Sequence, residues 1–199
     1  MQMIDVGYDS THYYVLSVEG RPKLLIDAGW PGTLAKMHYQ CKRSGIVLEQ
    51  IGHFICTHYH PDHAGLAVEL MGLGCRLIVV DLQQSAVPLL PSLLKPEQRT
   101  GTIDLKAALI TTIADSRTLL GRIGIQGQIV ATPGHSDDSV TVVLDSGEAF
   151  TGDLPPPMMG DETTAPILQA SWARIRASGG KTLYPAHGPF PRPIADIFR

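Results

Sequence analysis

Cysteine is scarce in this 199-residue chain: there are three, Cys41, Cys56 and Cys75, and no two form a C-x-x-C pair. An odd number without that spacing points to reduced, buried thiols in a cytoplasmic protein rather than a disulfide framework. Long apolar runs are missing as well. None approaches the roughly 20 residues that cross a bilayer, so no membrane association is expected. The opening stretch MQMIDVGYDS has neither the charged nor the apolar region of a secretion signal, which again predicts a cytoplasmic protein. Runs of one charge are also absent. The net charge is −3 and the basic clusters are as short as Lys42-Arg43, which offers no stripe for nucleic acid. No low-complexity tract or linker interrupts the chain, so a single domain over residues 1–199 is expected.

What is present is an ordinary globular composition, 44% hydrophobic and 18% charged, long enough to bury a core without disulfides. Strand-like runs come first, HYYVLSV at 12–18 and KLLIDAG at 23–29. A helix is expected over 31–44, with Pro31 at its start and Gly45 past its end. IGHFICT at 51–57 reads as a strand covered on both faces, with Cys56 turned into the core. AGLAVELMGLG at 64–74 reads as a helix and CRLIVV at 75–80 as another buried strand. Residues 82–98 suggest a leucine-rich helix broken at Pro88 and Pro91. ALITTI, SRTLL, GQIVATPG, SVTVVLDSG and EAFTGD then read as strands between about 109 and 152, with a hairpin turn at Asp145-Ser146-Gly147. A helix over 163–180 and a short strand in KTLYPAHG at 181–188 complete the order. Strands outnumber helices, and two βαβ-like stretches flank a run of hairpins. The expected class is α/β (α+β): two mixed sheets packed together with helices outside.

Three of the eight histidines fall in one short stretch, THYHPDHAG at 57–65. His58 and His60 are two apart in extended chain, so both can face one cation. Pro61 and Asp62 also suit a helix start with Asp62 as N-cap, which would leave the histidines as polar loop residues. Three further loops tip the balance toward a metal. His135 in TPGHS, Asp153 in FTGDL and His187 in YPAHG each follow a β-run and adjoin a glycine. Loops at strand ends carry chemistry. Imidazole and carboxylate are ligands for zinc and related divalent ions, and five histidines with two aspartates exceed the needs of one zinc.

This pattern, H-x-H-x-D-H followed by a histidine after Pro-Gly, an aspartate after Thr-Gly and a histidine before Gly, resembles the metallo-β-lactamase-fold superfamily. The resemblance runs from about Asp27 to Gly188. It implies a four-layer αββα sandwich with a binuclear site at one edge. By position, His58, His60 and His135 would bind a first ion and Asp62, His63 and His187 a second, with Asp153 bridging them. Asp27 in LLIDAG would support a ligating imidazole. Two Zn2+ per chain are expected, with iron or manganese as alternatives. Two such cations lower the pKa of a shared water and make bridging hydroxide available as the nucleophile, with Asp62 orienting it or passing a proton. Tyr184, near His187, is a candidate donor to a substrate oxygen, set against a place in the core. Tyr8 and His12 lie where the superfamily often places a loop beside the metals. His38 reads as solvated and His53 as packed.

The resemblance alone does not choose a substrate. The superfamily's dedicated β-lactamases generally lack an aspartate at the position of Asp153, which leaves weak β-lactamase activity as an alternative. Only Gly188 to Arg199 follow His187, so a glutathione-binding helical extension is not expected. His60 stands where flavodiiron-type members carry glutamate. Asp137 and Asp138, in SDDS after His135, read as solvated. The segments 82–98 and 154–160 are candidate pocket walls. The expectation is a hydrolase of a small-molecule ester, lactone or thioester, without nucleic acid or membrane partners. Phosphodiesterase and mononuclear iron dioxygenase are the alternatives, and a homodimer would be the source of any lid.

Overall fold

The computed structural model describes residues 1–198, which divide into two compact units, Met1–Thr112 and the chain from Ile113 onward. Each unit has its own mixed sheet. The first sheet has strand order β1-β2-β3-β4-β5-β6, formed by Gln2–Asp5, Tyr14–Ser17, Lys23–Ile26, Ile51–Ile55, Arg76–Val80 and Leu109–Thr111. Its first three strands are antiparallel neighbours, and β3 to β6 run parallel. Strand β4 lies between parallel β3 and β5, which is why IGHFI reads as a nearly continuous apolar run. The second sheet has order β11-β10-β9-β8-β7, formed by Gly127–Ala131 (β7), Val140–Leu144 (β8), Glu148–Gly152 (β9), Thr182–Pro185 (β10) and Arg192–Pro193 (β11). β7, β8 and β9 are antiparallel in turn, β9 and β10 are parallel, and β11 returns antiparallel. The expected class, α/β with two mixed sheets and helices, is observed.

Helices α1 (Leu34–Arg43), α2 (Pro61–Ala64) and α3 (Ala67–Gly72) belong to the first unit, and α4 (Ser116–Arg122) and α5 (Ala165–Ala177) to the second. Helix α1 starts three residues after Pro31, because Pro31, Gly32 and Thr33 are used in the turn. Lys42 and Arg43 occupy its last turn, where they complement the helix dipole. Helix α5 buries Leu168, Ser171, Trp172 and Ile175, the 3.6-residue stripe expected of a helix lying on a sheet. Each of the large apolar side chains in that stripe contributes about 1.5–3 kcal/mol through burial.

Two element predictions fail. Residues 82–98 form no leucine-rich α-helix but separate 3₁₀ turns, Asp81–Gln83, Val87–Leu93 and Pro96–Gln98. Pro88, Pro91 and Pro96 remove the amide hydrogens that an α-helix needs. Val87, Leu90 and Leu94 still reach the core, while Leu89 and Leu93 face water. SRTLL, read as a strand, is the start of α4. There Ser116 Oγ accepts from Ile129 N at 3.0 Å and Leu120 is fully buried, contacts that favour the helical turn. Strands β1 and β11 were not expected.

All three cysteines are free and buried. Burial raises the Cys41 thiol to about 11 and pushes Cys75 upward too, so neither supplies thiolate near neutral pH. Among the described residues no helix is long and apolar enough to cross a membrane.

Candidate metal centre

In the first unit the chemistry gathers where β4 ends. Chain leaving Ile55 passes through Cys56 and Thr57 to His58, and His60 precedes the short helix Pro61–Ala64. No side chain caps that helix: the N-cap position is His60, and Asp62 lies inside the first turn. The capping alternative for Asp62 therefore does not hold. The His58 ring lies 4.5 Å from that of His60 and 4.1 Å from that of His63, centroid to centroid. The Asp62 Oδ2 to His63 Nε2 separation is 3.4 Å.

Asp27 organises this cluster from beneath. Its side chain is almost completely buried and accepts from Thr57 N at 2.7 Å and from Thr57 Oγ1 at 3.0 Å. His63 Nδ1 donates to Asp27 Oδ2 at 2.9 Å. His58 Nδ1 lies 3.2 Å from Thr57 Oγ1, whose own hydrogen goes to Asp27, so the imidazole donates there. With both Nδ1 atoms committed, Nε2 is the nitrogen that each ring presents to a metal. Asp27 adopts φ 65°, a left-handed conformation that costs an L-residue about 1–2 kcal/mol. Its hydrogen bonds offset that strain. Backbone bonds from Asp27 N to Ile55 O (2.9 Å) and from Ala28 N to His63 O (2.6 Å) stitch the two loops together. Gly29 follows, and a Cβ there would sit 2.3 Å from Tyr8 Oη, so the close packing requires glycine. Buried Gln83 donates to Cys56 O at 3.0 Å and steadies the strand end.

In the second unit three loops converge. His135 lies in the turn between β7 and β8. Thr132 N donates to Ser139 O (2.9 Å), and the Ser136 and Ser139 hydroxyls pair at 2.7 Å. Gly134 has φ 137°, and a Cβ there would lie 2.4 Å from Leu168, so helix α5 packs directly onto the turn. Asp153 follows β9. Its loop is held by Trp172 Nε1 donating to Pro155 O at 2.8 Å. His187 follows β10. Asp153 Oδ2 lies 3.5 Å from His135 Nε2, and Asp153 Oδ1 lies 3.4 Å from His187 Nε2.

These three N···O separations exceed an ordinary hydrogen bond of about 2.7–3.2 Å. Two ligand atoms at zinc distances of about 2.0–2.1 Å in a tetrahedral shell stand about 3.3 Å apart. The donor pairs Asp62/His63, Asp153/His135 and Asp153/His187 therefore have the spacing of neighbours around a cation, and imidazole with carboxylate suits a divalent ion. Asp153 offers one oxygen toward each histidine, as a bridging carboxylate would.

A cavity of ≈ 370 Å³ in the second unit is lined by His135, Asp153 and His187 and walled by Leu154, Pro156 and Met159, part of the predicted 154–160 segment. Tyr184 packs its ring against Phe150 (5.2 Å) and Phe190 (5.9 Å), and burial raises its phenol. Tyr8 is buried, its hydroxyl 2.6 Å from Thr33 Oγ1 and its pKa pushed up to about 12 by burial. His12 Nδ1 donates to Asp5 Oδ2 at 2.9 Å. His38 is exposed on α1, His53 is half-buried in β4, and Asp137 is exposed, whereas Asp138, also read as solvated, is half-buried. Sequence reasoning missed Thr57, although it opens the quoted motif, and Gln83, whose surroundings carry no periodic signal.

The family model described as metallo-beta-lactamase superfamily matches residues 6–187. A lactamase-like protein of Pestalotiopsis microspora is 29% identical over 186 residues, covering 89% of this chain and 49% of that protein. An atrochrysone carboxyl ACP thioesterase of Aspergillus terreus is 27% identical over 197 residues, 94% of this chain and 51% of that protein. The chain spans about half the length of these curated relatives. The solved structure of a metallo-beta-lactamase family protein from Thermus thermophilus superposes with a TM-score of 0.72 at 18% identity, covering 98% of this chain and 75% of that one, which shows the shared fold. By the match over residues 6–187, together with the ordered histidines and aspartates described above, this chain belongs to the metallo-beta-lactamase superfamily.

Proposed function

We propose that this protein is a metal-dependent hydrolase of a small-molecule acyl compound, with a thioester as the preferred substrate and an ester or lactone as close alternatives. The observation that carries the reading is Asp153, with one carboxylate oxygen toward His135 and the other toward His187 at ligand-to-ligand spacing. On this reading His58, His60, Asp62 and His63 in the first unit and His135, Asp153 and His187 in the second are metal ligands, and Asp153 serves two ions. Zinc suits this histidine-rich set. The relative named as a thioesterase supports an acyl-transfer chemistry rather than a phosphodiester one. The buried free thiols fit a reducing compartment such as the cytoplasm.

When bound, the paired cations supply Lewis acidity and lower the pKa of water. The chain's own contribution is positional. Asp27 keeps the His63 ring in the tautomer with Nε2 available and, through Thr57, does the same for His58. On this reading Asp62 accepts a proton from the attacking water. The water oxygen bonds to the carbonyl carbon, the C–S bond then breaks, and the proton ends on the departing thiolate, giving a carboxylic acid and a thiol.

The test is metal analysis of the purified protein followed by turnover of a thioester, a lactone and an activated phosphodiester. Two equivalents of zinc and thioester or lactone turnover are expected, lost on treatment with a chelator and restored by zinc. Phosphodiester turnover alone would overturn the acyl reading. One equivalent of iron with dioxygen-dependent turnover would place the protein among oxygenases.

A further inference from the structure

The hairpin that carries His187 also carries a guanidinium. In the antiparallel pairing of β10 and β11, Leu183 lies opposite Arg192 and Thr182 opposite Pro193. Directly opposed residues share a face of the sheet. Leu183 and Arg192 accordingly line the same cavity, together with His135, Asp153 and His187. Arg192 is half-buried, and its Nε is buried with no hydrogen-bond partner among the described residues.

A guanidinium cannot shed its charge, and a buried donor without an acceptor is costly. Its planar fork matches carboxylate and phosphate oxygens. Leu154, Pro156 and Met159 add apolar surface to the same cavity. The cavity thus combines a cationic donor, apolar wall, and three histidine and aspartate side chains of the proposed metal centre.

We propose that Arg192 anchors an anionic group of the substrate, a carboxylate or a phosphate, and that the physiological substrate is an anionic acyl compound. This rests on the hydrolase reading above. A carboxylate would sit on the acyl portion. A phosphate would sit on the leaving thiol, as in a phosphopantetheine thioester.

Three thioesters separate these cases: neutral butanoyl-N-acetylcysteamine, glutaryl-N-acetylcysteamine with a free carboxylate, and butanoyl phosphopantetheine. The metal-loaded protein should favour one anionic thioester over the neutral one by about 10- to 100-fold in kcat/KM, the weight of one charge-assisted contact. The favoured compound identifies the source of the anion. Arg192→Met should bring that ratio close to one, and Arg192→Lys, which keeps a point charge, should retain part of it. Calorimetric titration with glutarate and with phosphopantetheine gives a readout independent of turnover, in which Arg192→Met should weaken one of them by a similar factor. A wild-type ratio near one, or an unchanged ratio in a folded Arg192→Met, would overturn the anchor. Absence of turnover on all three thioesters would instead defeat the hydrolase reading, and the titration would still decide the anchor.

Discussion

Asp27→Ala destabilises the metal-free protein by about 3–5 kcal/mol, the cost of breaking a buried, charged network by removing one member. Thr57 N, Thr57 Oγ1 and His63 Nδ1 all lose their acceptor at once. Alanine must also take up the left-handed conformation at φ 65° without the hydrogen bonds that offset it. Asp27→Gly removes that strain and should recover about 1 kcal/mol relative to alanine. Thermal melts of the three proteins check this ordering. Asp27→Asn is the more informative variant. Its carbonyl can still accept from Thr57, so stability falls little. Its amide then faces His63 Nδ1, which must accept there and carry its hydrogen on Nε2. Metal affinity, read by competition with a chromophoric chelator, should fall about 10- to 100-fold. Wild-type affinity in a folded Asp27→Asn protein would make Asp27 a fold anchor alone.

Asp153→Ala is expected to have the largest effect on turnover. Losing a group that merely orients a ligand costs about 10- to 100-fold, so loss of Asp153, the proposed bridging ligand, should cost at least about 100-fold. On the proposed binuclear reading, the metal content should fall from two equivalents toward one. Stability should change less than in Asp27→Ala, because Asp153 keeps part of its surface in water while Asp27 is buried. An Asp153→Ala protein with two zinc ions and unaltered thioester turnover would remove the bridging role and with it the main support for a binuclear centre.

The candidate site was more legible in the sequence than the short elements around it. His58, His60, Asp62 and His63 stand in one stretch, and His135, Asp153 and His187 each follow a strong β-run beside a glycine, so residue type and neighbourhood carried the signal. Strands such as Ile51–Ile55 and Val140–Leu144 were equally plain, because strands covered on both faces read as nearly continuous apolar runs, interrupted here only by Gly52, His53 and Thr141. Short elements were not. SRTLL is too brief to show a helical period, and its helix is decided by Leu120 and Ser116, whose partners lie elsewhere in the chain. Pro88 and Pro91 were recognised as interruptions, yet they disperse the whole segment into 3₁₀ turns. Arg192 sits in Phe-Pro-Arg-Pro, where flanking prolines suggest a loop; only the pairing with Leu183 brings it to the cavity. Thr57 was visible as a letter but not as a link, since its role depends on a carboxylate thirty residues earlier.

The bond from Trp172 to Pro155 has a spectroscopic consequence. The chain has two tryptophans: Trp30, 37% exposed, and Trp172, fully buried. Iodide reaches the first and not the second, so the unquenched emission belongs to an indole tied to the loop that follows Asp153. Ligand entry into the neighbouring cavity would shift that emission without any label, and a Trp30→Phe protein would report on the loop alone.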